Sequence, residues 1–134
     1  MTTLLDGNVL IALSLPDHTH HETARRWLFK HRGNIASCPI TQGALLRVAI
    51  QGGVSTTRAG EMLAAIVADP RHEFWPDDLG YADISLESVL GHRQVTDAYL
   101  AQLARKNGGQ LITFDRGLAA MHDDVADLVS VDRA

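Results

Sequence analysis

A short apolar run that ends on an acid and turns at once into a second apolar run constrains this chain more than any other feature. The stretch is Leu4-Leu5-Asp6-Gly7-Asn8-Val9-Leu10-Ile11-Ala12-Leu13. Leu4 and Leu5 form the end of a strand buried on both faces, and residues 9–13 begin a packed helix. Gly7 permits the tight turn between them, and Asn8 is expected to cap the helix. A strand feeding directly into a helix puts Asp6 at the strand's carboxyl end, the edge where open α/β sheets bind ligands. An equally simple reading makes Asp6 a helix cap and nothing more.

The rest of the chain repeats this alternation. Helices are expected over residues 22–31, 39–51, 56–68, 82–90, 94–106 and 118–121. Their apolar stripes include Ala24 with Trp27 and Leu28, Leu45 with Ala49, and Met62 with Leu63 and Ile66. Strands are expected over 35–38, 72–75, 111–114 and 128–131, between Gly, Asn and Pro punctuation. Short strands alternating with helices describe an α/β fold with a central, mainly parallel sheet of four to five short strands. At 134 residues, with no repeat or linker, the chain reads as a single domain, 1–134.

Composition excludes some functions. No apolar stretch approaches a membrane span, and no cleavable leader pattern opens the chain, so a cytoplasmic protein is expected. Cys38 is the only cysteine, which rules out an internal disulfide and a cysteine-rich zinc site. A formal charge of −4 argues against a binder that holds nucleic acid by bulk positive charge. It is compatible with an enzyme that meets phosphates through bound cations.

Two later acids occupy comparable settings. Asp115 follows Leu111-Ile112-Thr113-Phe114 as Asp6 follows its own strand, and Asp97 lies in the first turn of the 94–106 helix. If the two strands are parallel neighbours, three carboxylates converge on one cleft. Like charges held together are costly unless a cation neutralises them. Oxygen ligands favour Mg²⁺ or Mn²⁺ over zinc. Such a cation activates water and clamps a phosphodiester for in-line attack. The competing reading is that Asp97 and Asp115 are ordinary acids at helix N-termini.

The opening stretch, Pro39-Ile40-Thr41-Gln42-Gly43-Ala44-Leu45-Leu46-Arg47-Val48, His92-Arg93-Gln94-Val95-Thr96-Asp97 and Leu111-Ile112-Thr113-Phe114-Asp115 together resemble a PIN domain of the VapC toxins. With Phe74-Trp75-Pro76-Asp77-Asp78 between them, the order and spacing are similar to the branch abundant in mycobacteria, over essentially the whole chain. The resemblance implies a PIN-like α/β/α sandwich and an Mg²⁺-dependent endoribonuclease that hydrolyses RNA through metal-activated water. It implies that Asp6 and Asp97 are the principal metal ligands and that Asp115 completes the pocket. It also implies a VapB-type antitoxin and a homodimer. One position departs from the family pattern: Gln42 stands where related sequences often carry a glutamate. Glutamine offers a carbonyl oxygen but neither a charge nor a base. The alternative reading is therefore a catalytically impaired PIN-fold module that binds RNA or a protein. A phospho-acceptor receiver-like domain ranks last, because Lys106 ends a helix and does not follow a strand.

Around the acids, Arg47, Arg93 and Arg116 are candidate contacts for RNA phosphates. Asn8, Thr96 and Thr113 are candidate supports for the carboxylates. Solvated-face explanations compete in each case. His18, His20 and His21 lack the spacing of a zinc site and are expected to form a solvated loop and the start of a helix.

Overall fold

In the computed structural model, residues 1–130 are described. Five parallel strands form one sheet: β1 (Thr2–Leu5), β2 (Asn34–Ser37), β3 (His72–Phe74), β4 (Gln110–Thr113) and β5 (Ala126–Leu128), in the order β3-β2-β1-β4-β5. The chain builds outward from β1 through β2 to β3, then returns to place β4 on the other side of β1. That reversal creates a switch point between β1 and β4, where their carboxyl ends leave a crevice.

Side chains alternate across the strands, so an unbroken apolar run serves two layers. Leu4, Ala36 and Leu111 belong to a core shared with Ala98, Leu100, Leu103 and Ala104 of α5 (Val95–Lys106) and Leu118 of α6 (Arg116–Met121). Leu5, Ile35 and Ile112 pack instead with Val9 and Leu10 of α1 (Gly7–Ser14) and Leu45 of α3 (Pro39–Gln51). Trp27 and Leu28 of α2 (His21–Lys30) and Leu63 and Ile66 of α4 (Thr56–Val67) close that layer. The result is the α/β/α sandwich expected from the sequence, with a sheet that is parallel throughout. Gly7 lets the layers approach, because a Cβ there would lie 2.8 Å from Cβ of Ala44.

Three expectations need correction. Residues 82–90 do not form a helix: a 3₁₀ turn covers Tyr81–Asp83, and Ile84 then runs extended into the core. With Gly80, Ser85, Ser88 and Gly91 around one buried anchor, this segment has no apolar stripe to hold a helix down. The cap of α1 is Asp6, not Asn8, because Asp6 keeps non-helical backbone angles and its carboxylate accepts the N–H of Gly7. The last strand lies earlier than expected, at Ala126–Leu128; Val131 falls outside the described residues. Among the described residues no helix is long and apolar enough to cross a membrane.

Candidate active site

Asp6 leaves β1 at the switch point, and its own N–H extends the ladder to the carbonyl of Ile112 at 3.0 Å. Its Oδ1 accepts the Gly7 N–H at 2.7 Å, and its Oδ2 accepts the Thr113 hydroxyl at 2.7 Å. Thr113 ends β4, and the same Oγ1 accepts the Asp115 N–H at 2.9 Å and the Asn8 amide at 3.3 Å. Asn8 Oδ1 in turn accepts the Phe114 N–H at 3.2 Å. Asn8 and Thr113 therefore stitch the ends of β1 and β4 together and fix the rotamer of Asp6. Of the two, only Thr113 donates to a carboxylate directly; Asn8 reaches it through Thr113.

Asp115 caps α6, its Oδ1 accepting the Leu118 N–H at 3.1 Å. The cap reading and the cleft reading thus hold together. Asp97, in the first turn of α5, shares a cleft of about 170 Å³ with Asp115, lined also by Arg93, Gln94, Met121 and His122.

The electrostatics join the third acid to these two. Burial raises the Asp6 carboxyl above its ordinary range. The Thr113 and Gly7 bonds oppose that shift, and the Asp115 charge adds to it. Asp97 is half-buried and, among the described residues, has no hydrogen-bonded partner to offset the cost. Burial, then the charge of Asp6, then that of Asp115 push its pKa up to about 6. Neighbouring carboxylates thus add to the effect of burial in raising these two groups.

Among the described residues, no three His, Cys, Asp or Glu side chains stand close enough to hold a metal ion as a ready-made cage. The donor set fits a hard cation held through one or two carboxylates and completed by water, the usual habit of Mg²⁺.

The remaining candidates separate. Arg93 lines the cleft from a 3₁₀ turn over His92–Gln94. Arg116 is exposed beside Asp115, and no ion pair joins the two. Arg47 is exposed on α3, one turn from Gly43. Thr96 is exposed, and among the described residues no hydrogen bond links it to the acids. Gln42 gives its amide to Ser37 Oγ at 2.9 Å, and Ser37 is bonded to His72 Nε2 at 2.7 Å. The three loop histidines are each in structural use. His21 Nδ1 donates to the Ala12 carbonyl, His18 Nδ1 accepts the His20 N–H, and the His20 ring stacks on Phe114.

Sequence reading missed Ser37, His72 and His122. For the first two, period-2 alternation along β2 and β3 was the available signal, since Ile35 pairs with His72 two residues before Ser37. For His122, which follows the six-residue α6, no local signal was available.

A family model described as "PIN domain" matches residues 3–123. The chain is 52% identical over 129 residues to Ribonuclease VapC29 of Mycobacterium tuberculosis, covering 96% of this chain and 97% of that protein. The sarcin–ricin-loop-cleaving toxin VapC20 of M. tuberculosis superposes with a TM-score of 0.70 at 18% identity, covering 88% of this chain and 93% of that one. VapBC2 of Rickettsia felis, solved bound to a DNA fragment from its promoter, gives a TM-score of 0.68 at 14% identity, covering 97% and 100%. The last two likenesses concern the fold alone. The match along residues 3–123 and the identity along nearly the whole chain establish that this protein belongs to the VapC group of the PIN-domain family.

Proposed function

We propose that this chain is the toxin of a toxin–antitoxin pair, a divalent-cation-dependent endoribonuclease that hydrolyses RNA phosphodiesters. The observation that carries the reading is Asp97 and Asp115 lining one cleft beside the β1/β4 switch point that Asp6 occupies, with Asp97 pushed up to about 6 by burial and then by the charges of Asp6 and Asp115. The ribonuclease name of a relative 52% identical supports the same chemistry.

In this reading Asp6 and Asp97 hold Mg²⁺, or Mn²⁺ in its place, and Asp115 completes the pocket. The cation supplies charge neutralisation and a more acidic water for attack on phosphorus. The chain's own residues do the positioning. Thr113 locks Asp6 by donating to Oδ2, leaving Asp6 no freedom to swing away from the crevice. Asn8 holds the β4 terminus against β1, so that Asp115 stays at the same edge. Arg93 meets a phosphate of the strand as it enters the cleft, and Arg116 and Arg47 offer further exposed guanidinium groups along the surface. The partners are an RNA substrate, a VapB-type antitoxin and a second copy of the chain. The presence of a toxin–antitoxin pair among the structural likenesses is in keeping with the antitoxin.

One observation favours a second reading, a PIN module that binds without cutting. Gln42 is neutral, and its amide is spent on Ser37. The deciding experiment is cleavage of total RNA by purified protein freed of antitoxin, with Mg²⁺ or Mn²⁺ and then with excess EDTA. Discrete cuts that vanish on chelation support the nuclease. Intact RNA under either metal, together with a large gain in Gln42→Glu, supports the binding module.

A further inference from the structure

The most exposed large apolar side chain among the described residues is Phe29 of α2, 89% accessible. Arg25 and Arg26 precede it by four and three residues, so the three share one face of the helix. All three are exposed, and among the described residues no ring stacks on Phe29. Its neighbour Trp27 is placed differently: it packs against the core and stacks on His31 at 4.6 Å. From residue 25 to residue 32 the chain carries four cations, Arg25, Arg26, Lys30 and Arg32, and no acid, although its formal charge is −4.

A solvated helix face explains the arginines but not the bare phenylalanine, a residue that soluble surfaces carry sparingly. A protein partner would need a wider apolar centre, and the exposed residues beside Phe29 on α2 are charged. An open ring with guanidinium groups one turn away instead suits a single strand of nucleic acid. A base stacks on the ring while the adjoining phosphates meet the cations. Glu22 bridges Arg25 at 3.1 Å, but both side chains are more than half exposed, so the pair is weak and yields to a phosphate. The helix also starts in the right place. The ring of its N-cap residue, His20, stacks on Phe114, which immediately precedes Asp115. From that corner α2 runs ten residues, about 15 Å.

We infer that the outer face of α2 is a second contact surface for single-stranded RNA, on which Phe29 stacks a base and Arg25 and Arg26 hold the phosphates beside it. The inference rests on the ribonuclease reading and extends the path of the substrate beyond the acid cleft. Because a phenyl ring accepts any base, the surface adds affinity without choosing sequence.

The test uses the full chain with a fluorescein-labelled 12-mer oligouridylate, Ca²⁺ replacing Mg²⁺, and the strand checked on a gel to be intact. Binding is read by anisotropy across a salt series, folding by Tm, and cleavage of total RNA with Mg²⁺ in parallel. Phe29→Leu keeps an apolar side chain and removes the ring; it should weaken binding about tenfold with Tm unchanged. Phe29→Trp should bind at least as tightly as the parent. Arg25→Gln combined with Arg26→Gln should reduce the slope of log Kd against log salt by about 1.4, the share of two phosphate contacts on a single strand. In the unsubstituted protein, the ring-proton NMR signals absent from Phe29→Leu should move upfield on adding RNA. Parental affinity in Phe29→Leu with unmoved ring signals would overturn the inference, leave the nuclease reading intact and turn attention to an acidic protein partner. A loss in Phe29→Ala that Phe29→Leu does not share would overturn base stacking in favour of a plain apolar contact. An unsubstituted chain that cuts total RNA but does not bind the 12-mer would overturn the inference alone, and one that does neither would overturn both readings.

Discussion

Two polar corners of this sheet, one charged and one neutral, are built in opposite ways. At the ends of β1 and β4, Asp6 and Asp115 accept hydrogen bonds, whereas the half-buried Asp97, which shares a cleft with Asp115, accepts none among the described residues. Where β2 ends and β3 begins, Gln42, Ser37 and His72 form a chain of neutral hydrogen bonds. The first arrangement costs stability and the second does not. Proteins keep strain of this kind where it does chemistry. On the proposed reading the work of the molecule lies at the switch point, and Gln42 is engaged with Ser37 instead.

The largest expected effect comes from removing charge at the first corner. Asp6→Asn or Asp97→Asn should lower RNA cleavage by about 100-fold or more, since a correctly held cation carries several kcal/mol of transition-state stabilisation. Single-turnover cleavage of a labelled RNA measures it, and activity within a few-fold of the parent would break the comparison. Next comes Thr113→Val. It deletes the hydroxyl that donates to Asp6 and accepts from Asp115 and Asn8, and should cost roughly tenfold in cleavage with a lower Tm.

A smaller effect lies in the pH dependence of stability without metal. Asp97 binds its proton more tightly folded, near 6, than unfolded, near 3.8. Between those values the folded state holds more protons, so the contribution of Asp97 is fully present below about pH 4 and is lost as pH rises through 6. Thermal melts in EDTA should show that loss, Asp97→Asn should flatten it, and Mg²⁺ at pH 7.5 should restore stability by binding the folded state. The smallest change is expected at the neutral corner. Gln42→Glu should alter cleavage by less than about threefold, because the side chain is engaged with Ser37. It should raise the pKa of His72, which burial now lowers, as followed by NMR.

How much of this was legible in the sequence depended on whether local signals and tertiary packing agreed. The corners at Asp6 and Asp115 were readable because each acid ends an apolar run buried on both faces of the sheet, which leaves little choice of location. Their neighbours Asn8 and Thr113 were visible as candidates, but their bonds cross 105 residues of chain and exist only once β1 and β4 pair. Thr96 looked as well placed as Thr113. It is exposed with no hydrogen bond to the acids among the described residues, whereas Thr113 lies at the strand end and donates to Asp6. The 82–90 segment misled because its scattered apolar residues imitate a stripe, while Ile84 alone is fully inserted. His122 was invisible for the opposite reason. Nothing local marks a histidine after a six-residue helix, and its burial and tautomer are imposed by Arg105, 17 residues earlier.

The central claim is that three carboxylates act as one cation-seeking unit, and Asp97 reports on it most directly. The measurement is a ¹³C-carboxyl NMR titration of Asp97 in metal-free protein and again with saturating Mg²⁺. The account predicts a midpoint near pH 6 without metal, falling when Asp6 or Asp115 is replaced by Asn and falling sharply when Mg²⁺ is added. A midpoint near 4, unmoved by Mg²⁺ or by either substitution, would contradict it.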